Sequence, residues 1–400
     1  MSNVLELTTE LTARPSLTPD DAGCQRLIAE RLLPLGFKVE WFLCGEVTNV
    51  LFTHVGAGHA RDRAYRPHGG LLQGVDGARD SSPSLWFLGH TDVVPPGPEE
   101  LWTFLPFHPD QKSGELYGRG VADMKGAVAA MVVALETFVQ QNPEHGGQIG
   151  LLLTSDEEGP AVDGIVRVAE ELRRRDAWPD YCLVGEPSSQ QRLGDTVRVG
   201  RRGSIYARLK VNGIQGHTAF PENLDNPVHA IAPFLDELVA LQWDTGDEDF
   251  PASHCQVSYL QAGTGAGNVT PANVELLANF RNGPDSPAKA IETRFRKLLR
   301  KHDIEDYEIE WQVMGEPFRS PAGKLREAVV AAVEEVLGQS PDLNTGGGTS
   351  DGRYMAPLGC EVLELGLLNS TIHQVDERTP VADLDRLYAT YYDIIRRIIL

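Results

Sequence analysis

Apolar positions along this chain follow two different rhythms. In the first half, short unbroken apolar runs (KVEWFL, NVLFTHV, PSLWFLG, IGLLLTS, DYCLVGE) alternate with stretches of helical spacing. Unbroken runs suit strands buried on both faces, and helices between them suit crossovers, so this half predicts a largely parallel α/β sheet. One predicted helix is PDDAGCQRLIAERLLPLG, where Asp20 or Asp21 can cap and Leu27, Ile28, Leu32 and Leu35 recur at helical spacing. A second is KGAVAAMVVALETFVQQN, just before IGLLLTS.

From about Thr196 the rhythm changes. TVRVGRRGSIYARLKVNGIQ alternates like a strand pair, NPVHAIAPFLDELVALQW reads as a helix opened by Asn226 and Pro227, and HCQVSYLQAG and VELLANFRN read as strands. A helix, PAKAIETRFRKLLRKH, and a strand, DYEIEWQVMG, complete a β-α-β-β-α-β order, the split ferredoxin-like arrangement. After Gly315 the first style resumes, with helix SPAGKLREAVVAAVEEVLG, strand CEVLELGLL and closing helix VADLDRLYATYYDIIRRIIL.

The predicted fold is α/β: a mostly parallel-sheet domain of residues 1–190 and 314–400, with an inserted ferredoxin-like (α+β) domain of residues 191–313. The length of 400 residues exceeds what one core usually supports, in keeping with two domains. Residues 56–84, rich in Gly, Arg and Ser and without periodicity, read as a surface loop or hairpin extension.

Charge narrows the partners. With 36 basic against 57 acidic side chains the net charge is −21, which disfavours nucleic acid and anionic membranes and requires local arginines for any anionic substrate. The five cysteines, at 24, 44, 182, 255 and 360, form no C-x-x-C pair, so a reducing cytoplasm is expected. Residues 1–20 lack the apolar centre of a secretory signal, and no later run reaches the roughly 18 residues of a membrane span. GTGAGN and TGGGTSDG lack phosphate-loop spacing, which argues against a nucleotide.

The candidate chemistry lies where strands end. SLWFLGHTD ends in His90 and Asp92, LLLTSDEEG in Glu157 and Glu158, YCLVGE in Glu186, and LELGLLNSTIHQ in His373, while Asp123 immediately precedes a long helix. In open α/β sheets ligands bind at the carboxyl ends of strands, so groups distant in sequence converge there. The other histidines outside this set, among them His54, His59, His68, His108, His145, His229, His254 and His302, read as structural or surface residues. His90 stands apart because Asp92 can hold one imidazole nitrogen and leave the other for a metal. His90, Asp123, Glu158, Glu186 and His373, a nitrogen and oxygen set without thiolate, suit zinc, with cobalt or manganese as substitutes. Glu157 is left free to move a proton, and successive side chains on an extended segment would point Glu157 and Glu158 opposite ways.

The motifs GHTDVVPPG, GRGVADMKG, TSDEEG, VGEPSS, GRRGS, GIQGH, GGTSDGR and NSTIHQVDE together resemble the family of co-catalytic zinc aminoacylases and carboxypeptidases, and GRRGS, GGTSDGR and NSTIHQVDE resemble its desuccinylase branch. The resemblance runs from about residue 10 to the C-terminus, apart from the 56–84 extension. It implies two zinc ions per subunit, His90 and Glu186 on one, Glu158 and His373 on the other, with Asp123 bridging and the Asp123–Met124 peptide cis. It further implies Glu157 as general acid/base, Asp92 as the partner of His90, and His217 reaching the partner subunit's site to stabilise an oxyanion, so that the inserted domain dimerises. Arg201, Ser204, Asn268, Arg281, Gly348, Thr349 and Asn369 stand at substrate-contacting positions, and guanidinium groups pair well with a dicarboxylate substrate.

The implied reaction is removal of succinate from N-succinyl-LL-diaminopimelate in lysine and cell-wall precursor biosynthesis. Deacetylation of acetylornithine or another acyl amino acid is the alternative, and a non-catalytic metal-binding dimer a distant one. Phe220 stands where relatives often carry Tyr, and Gly267 where they often carry Asn.

Overall fold

The computed structural model describes residues 2–57 and 82–400, so most of the 56–84 extension lies outside the described residues. The chain divides into two compact units, one of Met1–Val199, Ser320–Asn344 and Ser350–Leu400, the other of Gly200–Arg319 and Thr345–Thr349.

The first unit is built on an eight-stranded sheet. Its strands run in the order Lys38–Cys44, Val47–Val55, Gln148–Thr154, Ser84–His90, Tyr181–Val184, Glu361–Glu364, Thr196–Arg198 and Asp342–Asn344. The four central strands, Gln148–Thr154 to Glu361–Glu364, pair in parallel, as their unbroken apolar runs require. Lys38–Cys44 and Val47–Val55 form an antiparallel hairpin that adds antiparallel to Gln148–Thr154. The helix Gly126–Gln141 is buried on nearly all sides, packed with Val381–Ile399 and Asn3–Thr12. Its mean composition of Ala and Val lets it lie close to its neighbours, and each large side chain so buried contributes about 1.5–3 kcal/mol.

Three features differ from the sequence expectation. Asn3–Thr12 is a helix, with the Ser2 side chain accepting from the Leu5 amide and Val4, Leu5, Leu7 and Leu11 buried. The helix expected from Asp20 or Asp21 begins only at Cys24, because Gly23 sits at φ +79° and Asp21 accepts the Gln25 amide from outside the first turn. Thr196–Arg198, expected in the inserted domain, instead pairs in parallel with Asp342–Asn344 in the large sheet. The second unit therefore starts at Gly200 rather than 191 and runs to Arg319 rather than 313. There the entering and leaving chains pair, Arg201 opposite Phe318 and Gly200 opposite Arg319. A Cβ on Gly200 would lie 2.3 Å from the Phe318 carbonyl oxygen, so glycine permits that approach.

The second unit has a four-stranded antiparallel sheet in the order His254–Ala262, Asn273–Asn282, Gly203–Asn212 and Tyr307–Gly315. Burial alternates residue by residue along Asn273–Asn282, so one face packs under the helices Pro227–Ala240 and Ala288–Lys301. Phe234, Phe280 and Phe295 meet edge to face at the centre of that core. Asn226 opens its helix by accepting the Val228 amide.

All five cysteines are reduced; Cys44 is half-buried and Cys24, Cys182, Cys255 and Cys360 are buried. Among the described residues, no helix is long and apolar enough to cross a membrane.

Candidate metal centre

In the first unit, the ends of three neighbouring parallel strands deliver His90, the Glu157–Glu158 bend and Glu186 to the same edge of the sheet. The strand Gln148–Thr154 stops before the acids, and Asp156, Glu157 and Glu158 lie in a bend rather than on an extended segment. Glu157 and Glu158 fall into two clusters that share His90. A Glu158 oxygen clusters with His90 and Asp123, and a Glu157 oxygen with His90 and Glu186, every ligand atom within 4.8 Å of the others in its cluster.

Asp123 sits between two imidazoles. Its Oδ1 lies 3.3 Å from His90 Nε2 and its Oδ2 3.3 Å from His373 Nε2. Glu186 Oε1 is 3.6 Å from His90 Nε2, and Glu158 Oε1 is 2.9 Å from His373 Nε2. The Asp123–Met124 peptide is cis, and His373 adopts φ +60°, a left-handed conformation rare for a non-glycine residue.

The Asp92 expectation is modified. His90 Nδ1 is nearest to the Asp92 backbone oxygen, at 3.0 Å, with the Asp92 carboxylate 3.6 Å away. That carboxylate is occupied by other donors: the Thr18 hydroxyl at 2.7 Å and the amides of Glu157 at 3.3 Å and Glu158 at 3.0 Å. Asp92 thus fixes the bend that carries both glutamates while its carbonyl orients His90.

These donors fit a metal pair. With oxygen acceptors facing Nδ1, the His90 proton belongs there, which turns the bare Nε2 lone pair toward the oxygens of Asp123 and Glu186. Acceptors face acceptors unless a cation lies among them, and imidazole with carboxylate is a donor set that zinc and similar ions accept. The titration behaviour of the metal-free chain expresses the same demand. Hydrogen bonds to Asp123 and Glu158 raise His373 to about 10. Burial would lower His90, but the hydrogen bond to Asp123 and the charges of Asp92, Glu186 and Glu157 raise it well above its ordinary value. Burial likewise opposes ionisation of Asp123, yet the bonds from His373 and His90 hold it below the usual carboxylate range. Burial and the charge of Glu186 push Glu157 well above that range, while burial raises Glu158 against the bond from His373.

Several residues around the site had no role assigned from the sequence. Buried Asp156 accepts the amides of Ala161 and Asp163, closing the turn after the glutamates. Asp351 is 4% exposed, both its carboxylate oxygens lack a hydrogen-bond partner, and burial pushes it up to about 7. Gly366 lies against the chain at Glu186, where a Cβ would meet the Glu186 carbonyl oxygen at 2.3 Å. Glu377, at the end of NSTIHQVDE, is fully buried beneath Asp123. The visible signal for these was only their place inside motifs already noted.

Of the histidines outside the metal set, His54 Nδ1 meets His145 Nε2 at 2.9 Å, His302 pairs with Glu237, and His229 and His254 are exposed. His59 and His68 lie outside the described residues.

Of the expected substrate contacts, Asn369 is in the first unit, its amide bonded to the Ser189 carbonyl. The others lie in the second unit. Arg201 is buried and donates to the carbonyls of Gly346 and Gly348. Ser204 is buried opposite Arg281 on paired strands. Arg202, which sequence reasoning passed over, is held below its ordinary pKa by burial and by the charges of Arg281 and Arg201. His217 is exposed, accepts the Ala219 amide at Nδ1 and stacks edge to face on Phe220; Asn268 and Gly267 lie in an exposed turn beside it.

The chain matches the family model described as peptidase family M20/M25/M40 over residues 86–397. It is 50% identical over 399 residues to the succinyl-diaminopimelate desuccinylase of Halorhodospira halophila (strain DSM 244 / SL1), covering 100% of this chain and 99% of that protein. It is 49% identical over 400 residues to the protein of the same name from Xanthomonas euvesicatoria pv. vesicatoria (strain 85-10), covering 100% of both. Among solved structures it is similar to the aminopeptidase PepT of Bacillus cereus ATCC 10987, with a TM-score of 0.76 and 19% identity over 99% of this chain and 98% of that one, a likeness of fold.

Proposed function

This chain belongs to peptidase family M20/M25/M40, and we propose that it is a metal-dependent amidohydrolase that converts N-succinyl-LL-diaminopimelate to succinate and LL-diaminopimelate in lysine and diaminopimelate biosynthesis. The observation that carries the chemistry is the Asp123 carboxylate with one imidazole at each oxygen, with Glu157 near His90 and Glu186. The substrate rests on the shared name of relatives about half identical over the whole chain.

We assign His90 and Glu186 to one zinc ion, Glu158 and His373 to the other, and Asp123 to both, with cobalt able to substitute. When bound, such a pair supplies Lewis acidity toward the amide carbonyl and eases deprotonation of water. Glu157 takes the proton from the attacking water and returns it to the leaving amine, a double role in keeping with a carboxyl group that burial and the charge of Glu186 push well above its ordinary value. Asp92 holds His90 and the glutamate bend in register.

Arg201, Ser204, Asn268, Arg281, Gly348, Thr349 and Asn369 are assigned to the two ends of the dicarboxylate substrate. The cluster of Arg201, Arg202 and Arg281 supports an anionic ligand in an otherwise acidic chain. His217, exposed on the inserted unit, is assigned to the partner subunit's site in a homodimer, where it stabilises the oxyanion. We place the enzyme in the cytoplasm.

Side-by-side turnover of N-succinyl-LL-diaminopimelate and N-acetylornithine by the zinc-loaded protein tests the reading. The succinyl substrate is expected to show the higher kcat/KM; preference for acetylornithine overturns the substrate assignment, and hydrolysis of neither overturns the enzyme.

A further inference from the structure

Fully buried Glu377 receives four hydrogen bonds. Its Oε2 accepts Arg119 at 2.6 Å and the Gly120 amide at 2.9 Å, and its Oε1 accepts the amides of Ala122 at 2.9 Å and Asp123 at 3.1 Å. Its backbone oxygen also accepts the Gly118 amide at 3.0 Å. Arg119 is 2% exposed, and its guanidinium carbon lies 5.2 Å from the centre of the Trp102 ring. Glu377 lies four residues beyond His373, on the turn that ends in the strand Arg378–Thr379–Pro380 paired with Glu115–Tyr117. One side chain therefore joins the turn carrying His373 to the loop carrying Asp123.

We propose that Glu377, with Arg119 as its counter-charge, is a positioning residue that sets the spacing of His373 and Asp123 and so controls the metal position these two share with Glu158. It rests on the two-metal reading above. The other position has its own anchors, since His90 and Glu186 end separate strands of the sheet and His90 is oriented by the Asp92 carbonyl. The assignment uses the acceptor count rather than size. All four partners of the carboxylate are donors, so both oxygens must accept. Glutamine has the same shape, but whichever way its amide turns, its NH2 group faces two donors.

Zinc titration of the chelator-treated protein by calorimetry, with Co2+ absorption spectra and a thermal melt of the metal-free form alongside, tests this on the wild type and Glu377→Gln. Wild type is expected to bind two zinc ions per chain. In Glu377→Gln the site of Glu158 and His373 is expected to weaken by about 10–100-fold, the usual scale for losing a residue that orients a ligand, and the site of His90 and Glu186, which shares Asp123, by clearly less, with the larger change in one of the two Co2+ spectra. Equal weakening of both sites, with a lowered melt of the metal-free form, would mean a merely structural role and overturn the proposal, as would two unchanged sites. If Glu377→Gln does not fold, Arg119→Met decides: it leaves the three amide bonds in place and is expected to weaken the same site selectively but less, and unchanged affinities there overturn the proposal. Fewer than two zinc ions on the wild type would overturn the two-metal reading itself, an outcome distinct from a wild type with two and a variant with the same two.

Discussion

The carboxylate cluster of the first unit and the arginine cluster of the second pose opposite electrostatic problems. In the first, Asp123, Glu157, Glu158 and Glu186 lie close to two imidazoles. In the second, burial and the charges of Arg281 and Arg201 make the protonated form of Arg202 less favourable. Gathering like charges raises the free energy of each unless a partner of opposite sign arrives. Like charges so gathered are relieved by a partner of opposite sign, a cation beside carboxylates and an anion beside guanidinium groups. The two also differ in how they are held. The backbone that carries Glu157 and Glu158 is fixed by the buried acceptors Asp92 and Asp156, which take its amides and those of the following turn, while Arg201 is fixed by the carbonyls of a glycine-rich segment.

The comparison can be broken most severely by removing the cation. Chelator treatment is expected to reduce hydrolysis to background and zinc or cobalt to restore it, measured as turnover against metal content; full activity without metal would end the assignment of the carboxylates. Next in size, Glu157→Gln is expected to lower kcat by about 10²–10⁴-fold while retaining bound metal, read by turnover and metal analysis on one sample. Near-normal turnover removes Glu157 from proton transfer.

Changing the arginine side should act on substrate rather than metal. Arg281→Ala is expected to lower kcat/KM by about 10–100-fold, corresponding to the roughly 1.5–3 kcal/mol of a hydrogen bond to a charged group, with metal content unchanged. Loss of metal in that variant would show that the clusters are not independent. The smallest effect concerns Asp21, which burial raises from 3.8 to about 6 although it accepts the Thr91 hydroxyl and the Gln25 amide. Because the folded form holds this proton more tightly, the contribution to stability is full below about pH 4 and is lost as pH rises to about 6. Asp21→Asn should flatten that dependence by at most about 1.4 kcal/mol per pH unit, read from denaturant midpoints across the range.

Much of this was legible in the chain because it depends on periodicity and on strand ends. The parallel core strands announced themselves as unbroken apolar runs, and the second unit as alternation around two amphipathic helices. His90, Glu158, Glu186 and Asp123 could be gathered before any coordinates because the carboxyl ends of parallel strands meet along one edge. What sequence could not give depended on tertiary pairing. Thr196–Arg198 alternates like the strand that follows it, and only its pairing with Asp342–Asn344 assigns it to the large sheet. Glu377 looks like an ordinary acidic residue until the amides it accepts are counted, since a hydrogen-bond partner more than 200 residues away leaves no local trace. The helix Asn3–Thr12 carries a modest apolar stripe that becomes meaningful once its neighbours exist.

The cysteines supply the molecule with its own set of unfolding reporters. Cys44 is half-buried and should react first with a thiol reagent, while Cys24, Cys182 and Cys360 are sealed in the first unit and Cys255 in the second. Reaction of an interior thiol requires opening of the unit around it, so the order in which labelled peptides appear in a mass spectrum would time the opening of each unit separately, without a single engineered residue.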